Sequence, residues 1–121
     1  MDEQQGYKNL KVWQDSMDLA VQVIRLTEKL PHHELNGLSL QIRRSAISVP
    51  SNIAEGWGRK RDKEFCHFVD IAYGSLCELE TQLELAYRCY NIDSKELLVK
   101  CMQVQKILSG LRKKLFADSR A

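Results

Sequence analysis

Between Asp62 and Tyr90 the apolar side chains fall at Phe65, Val69, Ala72, Leu76, Leu79, Leu83, Ala86 and Tyr90, alternating steps of four and three without a slip. That stripe predicts a long helix packed along its length at a shallow angle. Its 29 residues would span about 43 Å at 1.5 Å per residue. Asp62 can cap its start, with Glu64 in the first turn. Gly74 inside the helix costs roughly 1 kcal/mol relative to alanine, and so predicts close approach of another backbone. Asn91 breaks the pattern, and a second stripe follows at Leu97, Cys101, Val104, Leu108, Leu111 and Leu115. Asp93 with Glu96 forms a capping-box variant, Ile92 can staple onto Leu97, and the segment should end near 117, leaving a frayed tail.

The N-terminal half carries two more helical segments. From about Leu10 to Leu30, the residues Leu10, Trp13, Met17, Ala20, Ile24 and Thr27 make a heptad-like stripe. Val12, Leu19, Val23, Leu26 and Leu30 form a second apolar row beside it. Asn9 suits the N-cap and Pro31 stops the helix. The second segment covers about Leu35 to Trp57, with Gly56 and Gly58 at its end. Pro50 lies inside it, where its ring meets the carbonyl of Ala46 and its missing N–H leaves that carbonyl free. A turn over residues 48–52 is one reading. A single proline-kinked helix is favoured, because polar positions continue in phase across the proline and Ser48 or Ser51 can serve the freed backbone.

Four helices, at about 10–30, 35–57, 62–90 and 93–117, joined by short links, predict an all-α fold. The arrangement expected is an antiparallel up-down-up-down four-helix bundle forming a single domain over residues 1–121. A chain of 121 residues suffices for one core without staples. The apolar share is 44% and the charged share 28%, ordinary for a globular protein. No apolar stretch approaches the ~20 residues that cross a bilayer, and the polar, acidic start has no secretory character. A cytoplasmic protein without membrane association is expected. Cys66, Cys77, Cys89 and Cys101 include no CxxC pair and read as small buried hydrophobes with free thiols.

Two polar rows run beside the apolar stripes. Gln41, Arg44, Ser48 and Asn52 recur at steps of three and four on the second helix, and Ser75, Glu78 and Gln82 do so on the third. The expectation is a buried structural network in which Arg44 pairs with Glu78, with Glu55 as a second candidate carboxylate. Burying such a pair fixes register more than it adds stability. No catalytic, metal or cofactor site emerges. Glu64 with His67 is the nearest approach to a Glu-x-x-His pair and lacks a counterpart on another helix. His32 and His33 sit in a turn and cannot face one way.

With 18 basic and 16 acidic residues the net charge is only +2, so the placement of charge matters more than its sum. Arg59, Lys60, Arg61 and Lys63 follow the second helix beside Trp57. Arg112, Lys113 and Lys114 lie near the end of the fourth. In an up-down bundle both groups fall at one pole, and cations beside an aromatic ring suit a nucleic-acid backbone or a stacked base.

Three stretches carry a family resemblance. They are Gln41-x-x-Arg44, Ser48-x-Pro50-x-Asn52-Ile53-Ala54-Glu55-Gly56-x-Gly58, and Ala72-x-Gly74-Ser75-Leu76-x-Glu78-Leu79-x-Thr81-x-Leu83. With the opening Leu10-Lys11-Val12-Trp13 they resemble the four-helix-bundle family encoded in intervening sequences of bacterial 23S rRNA, over nearly the whole chain. That family is similar to the accessory protein of diversity-generating retroelements, a ring-shaped homopentamer with a basic surface that binds nucleic acid and a reverse transcriptase. The resemblance implies a continuous second helix, a homopentamer, no enzyme activity, and RNA or DNA as partner, with a protein partner besides. The alternative is an oligomeric scaffold that binds other proteins without nucleic acid.

Overall fold

A computed structural model describes residues 3–120 of the chain, with side chains over residues 6–118. Its helices are α1 (Lys11–Leu26), α2 (Leu38–Gly58), α3 (Asp62–Tyr90) and α4 (Lys95–Arg120). Short 3₁₀ segments, Glu3–Asn9, Thr27–Lys29 and His32–Glu34, precede α1 and join α1 to α2. No strand occurs among the described residues. The fold is an all-α four-helix bundle.

α3 matches its sequence pattern from Phe65 to Ala86, and Tyr90, the last position of the stripe, is half-buried. Phe65, Val69, Ala72, Leu76, Leu79, Leu83 and Ala86 are all buried. On α4, Leu97, Cys101, Val104, Leu108 and Leu115 are buried. α1 departs from expectation. Val12, Leu19, Val23 and Leu26, the row beside the heptad-like stripe, are all buried, whereas of the stripe itself Ala20 and Thr27 are buried, Leu10, Trp13 and Ile24 are half-buried and Met17 is exposed. Both rows are apolar, so periodicity alone could not rank them; packing against two neighbours did. α1 lies against α2 and α4, and α3 against α2 and α4.

α2 runs through Pro50, which is buried inside it. Neither serine serves the proline in the expected way. The Ser48 hydroxyl bonds that of Ser75 on α3 at 2.7 Å, and the Asn52 carboxamide donates to the Ser48 carbonyl and hydroxyl at 2.7 and 2.8 Å.

Contacts between neighbouring helices follow a consistent order. Along α2 and α3, Trp57 meets Phe65, Ser48 meets Ser75, and Glu34 just ahead of α2 meets Tyr90. Between α3 and α4, the thiol of Cys66 donates to the Arg112 carbonyl at 3.7 Å and Gln105 donates to Glu80 at 2.6 Å. Lys100 of α4 donates to Gln22 of α1 at 2.7 Å.

Helix ends also differ in detail from the sequence reading. α1 begins after Leu10 and α3 after Arg61, and neither cap residue contributes a side-chain bond, so Asn9 and Asp62 are not N-caps. Asp93 does act at the start of α4, accepting from the Lys95 N–H at 3.0 Å. α4 continues helical to Arg120; Ala121, the end of the tail expected to fray, lies outside the described residues. Gly56 is not a terminator. It is buried within α2, where a Cβ would stand 2.7 Å from Phe65 Cδ1 and 2.8 Å from Phe68 Cβ, so the glycine is the point at which α3 closes on α2. Gly74 is the reverse case. Apart from its chain neighbours and its own helix backbone, no atom of the described residues lies within 4 Å of where its Cβ would be, so the close approach expected there does not occur among them.

Candidate nucleic-acid interface

The two basic groups meet at one end of the bundle. α2 ends at Gly58 and α3 restarts at Asp62, so Arg59, Lys60 and Arg61 form the whole connection. The turn closes through Arg59 N–H to the Gly56 carbonyl and Lys60 N–H to the Trp57 carbonyl, each 3.2 Å. Lys60 takes φ +62°, a left-handed conformation that costs a non-glycine residue roughly 1–3 kcal/mol. Gly58, which could have taken that conformation freely, stays in the helix. Arg112 brings the second group alongside. Its guanidinium Nε donates to Asp70 Oδ1 at 2.5 Å, and its carbonyl faces Cys66, both on the first three turns of α3.

The cations divide into two kinds. Every arginine of the two groups is held by a carboxylate: Arg59 by Glu55 at 3.2 Å, Arg61 by Glu64 at 3.9 Å and Arg112 by Asp70. The Asp70 hydrogen bond and charge raise the Arg112 pKa further above its ordinary value. Arg59 also lies 5.0 Å over the Phe68 ring. Lys60, Lys63, Lys113 and Lys114 are exposed and have no carboxylate partner among the described residues. Exposed ion pairs contribute about 0–1 kcal/mol, so the arginines can exchange their partners for phosphate at small cost.

Trp57 is half-buried at this pole, with the Phe65 ring edge-on at 6.3 Å and 88°. Its other support comes from the N-terminal 3₁₀ segment. Gly6 approaches so closely that a Cβ there would stand 2.4 Å from Trp57 Nε1. Sequence reasoning missed Gly6, whose only signal was a glycine in an otherwise polar leader.

The expected buried network is mostly on the surface. Arg44, Gln41, Glu55 and Glu78 are all exposed, and no ion pair joins Arg44 to Glu78; Glu55 pairs with Arg59 instead. Ser48, Asn52 and Ser75 do form a bonded cluster, with Ser75 buried and the other two half-buried. Gln82 is half-buried, and its Oε1 is buried without a hydrogen-bond partner. The cause is angular. Ile42, Ala46, Val49 and Ile53 take the core side of α2, and the polar row, rotated from them, runs along the outer edge of the α2–α3 seam. There a long charged side chain reaches water freely, which avoids the cost of desolvating it.

The cysteines divide likewise. All four are free thiols; Cys66 and Cys101 are buried, but Cys77 and Cys89 are exposed, contrary to expectation. Burial pushes Cys101 up to about 12 and raises Cys66.

Residues 8–110 match the family model described as 23S rRNA-intervening sequence protein. The chain belongs to that four-helix family. No curated protein matches the sequence. None of the described helices is long and apolar enough to cross a membrane.

Proposed function

We propose that the protein is a non-catalytic, oligomeric binding module that engages structured RNA, or DNA, through its basic pole. The observation that carries this reading is a set of four exposed lysines, Lys60, Lys63, Lys113 and Lys114, with no carboxylate partner among the described residues, in the two basic groups beside a partly exposed tryptophan. Arg59, Arg61 and Arg112 add charge that exchangeable acids hold in place. The family's name, which refers to 23S rRNA, favours RNA. The order of the interhelical contacts supports an antiparallel up-down-up-down bundle with α2 bent at Pro50, an arrangement that puts both basic groups at one pole.

The homo-oligomer, read as a pentamer on the family resemblance, has separate support on the outer side of α3. Ile71, Gly74, Glu78, Thr81 and Leu85 recur at steps of three and four and are all exposed. Exposed aliphatic side chains flanking an open helical glycine suit a surface that another copy covers. A cytoplasmic location and a protein partner complete the proposal.

The test is nucleic-acid retention at low salt, combined with mass in solution with and without total cellular RNA. A complex that weakens steeply as salt rises is expected. No retention of RNA or DNA at low salt would remove the reading. The scaffold alternative predicts that a protein partner stays bound after Lys60, Lys63, Lys113 and Lys114 are neutralised.

A further inference from the structure

One hollow at the basic pole joins aromatic walls to a charged margin. Gly56, Trp57 and Phe65, with Lys60, Arg61 and Asp62, line a cavity of about 210 Å³. Sites for drug-sized ligands run to roughly 300–1,000 Å³, so this one has room for a single planar ring rather than a whole nucleotide. Its aromatic wall is fixed in advance. Phe65 is buried and edge-on to Trp57, and Gly6 closes against the indole nitrogen, so the tryptophan has little freedom to turn. The strained turn at Lys60 sets Lys60 and Arg61 at the margin of the hollow. A left-handed non-glycine residue beside a preset aromatic ring is the kind of local cost that persists at functional positions. Asp62, at the same margin, repels a phosphate from the interior. A strand with a base in the hollow would keep its charge outside, where Lys60, Arg61 and the neighbouring Lys63 stand.

We propose that this cavity receives one unpaired nucleobase of an RNA strand, stacked on Trp57, while the flanking phosphates lie on Lys60 and Arg61. The inference rests on the RNA-binding reading and narrows it: the pole would discriminate for an unpaired nucleotide within a folded RNA instead of reading charge alone. Stacking on an aromatic side chain tolerates any base, because every base has a π-face.

The test uses two hairpin RNAs, identical except that one carries a single bulged adenosine, and the Trp13→Phe variant, in which Trp57 is the remaining tryptophan of the two in the chain. The bulged hairpin is expected to quench Trp57 emission and to bind about tenfold more tightly than the paired one. Trp57→Leu should abolish that preference, and Trp57→Phe should retain part of it. Competition between the two hairpins on the unaltered protein gives the preference without any substitution. Equal binding of both hairpins with Trp57 emission unchanged would overturn the cavity proposal and leave the basic surface standing. Binding of neither hairpin at low salt would overturn both.

Discussion

The two ends of the bundle treat their polar groups in opposite ways. At the end where α3 gives way to α4, side chains close the helix termini. Glu34 accepts from the Leu38 N–H at 3.0 Å and from the Tyr90 hydroxyl, and that hydroxyl also lies 3.3 Å from His33 Nε2. Asn91 takes the left-handed C-cap at φ 56°, and Asp93 holds the start of α4. At the end where α2 gives way to α3, the N-termini of α1 and α3 receive no side-chain cap, and Lys60 and Lys63 have no carboxylate partner among the described residues. The first end spends its hydrogen-bonding capacity on the fold. The second leaves donors and cations facing outward, and a surface that leaves donors unmatched suits an anionic partner.

Substitutions can separate the two ends. The largest effect should come from between them. Leu76 is fully buried, and Leu76→Ala should cost about 2–5 kcal/mol by denaturant unfolding, loosening both ends together. A local loss confined to one end would show that the bundle is not a single cooperative unit. Next comes Gly56→Ala at the basic end. The added methyl group meets Phe65 and the Phe68 Cβ below 3 Å, and overpacking of this kind costs about 1–3 kcal/mol. Wild-type stability in this variant would show that α3 can move away from α2 freely.

At the closed end the effect should depend on pH. The Tyr90 hydrogen bond, followed by the Leu38 N–H, holds the Glu34 carboxyl below the usual value of about 4.3. A carboxyl with a depressed folded-state pKa contributes stability above its unfolded value, and that contribution is lost as pH falls through the folded value. Wild-type Tm should therefore fall further than that of Glu34→Gln between pH 6 and pH 3. Parallel Tm curves for the two proteins would dissociate Glu34 from the closure of this end. Tyr90 carries the opposite sign. Glu34 pushes its hydroxyl up to about 12, so the bond contributes below the ordinary tyrosine value of about 10 and is lost as pH rises through 12.

The smallest effect on the protomer should be a gain. Gly74 sits mid-helix with open space around it, so Gly74→Ala should add up to about 1 kcal/mol of helix stability. If another copy covers this surface, the same substitution should lower the mass observed in solution. A more stable protein of unchanged mass would place the assembly contact elsewhere.

These contrasts follow how much of the molecule could be read from its residues. The stripe from Phe65 to Ala86 specified a core face because its steps of four and three run unbroken along α3, and every one of those positions is buried, whereas other apolar residues of the helix, such as Ile71 and Leu85, are scattered and exposed. On α1 two apolar rows compete, and which one enters the core depends on neighbours that no local pattern encodes. The polar row of α2 had the right period but an undetermined direction. Period places Gln41, Arg44, Ser48 and Asn52 on one face; only the packed helices show that this face lies along the outer edge of the α2–α3 seam, so that Ser48 and Asn52 join Ser75 while Arg44 reaches solvent. The basic groups were legible as charge. Their division into paired arginines and open lysines was not, because the acids holding Arg59, Arg61 and Arg112 come from helix turns and a neighbouring helix. The setting of Trp57 was illegible for a similar reason: Gly6 reaches it from about fifty residues away along the chain.

The proposal that the open lysines form an anion-binding surface is tested most directly by RNA affinity across a salt series, measured in parallel for the wild type and a variant with Lys60, Lys63, Lys113 and Lys114 all changed to alanine. Each phosphate contact contributes about 0.7–0.9 to the slope of log affinity against log salt, so the variant's slope should be shallower by about 3, with its thermal melt essentially unchanged. Identical slopes for the two folded proteins would contradict the assignment of RNA binding to this pole.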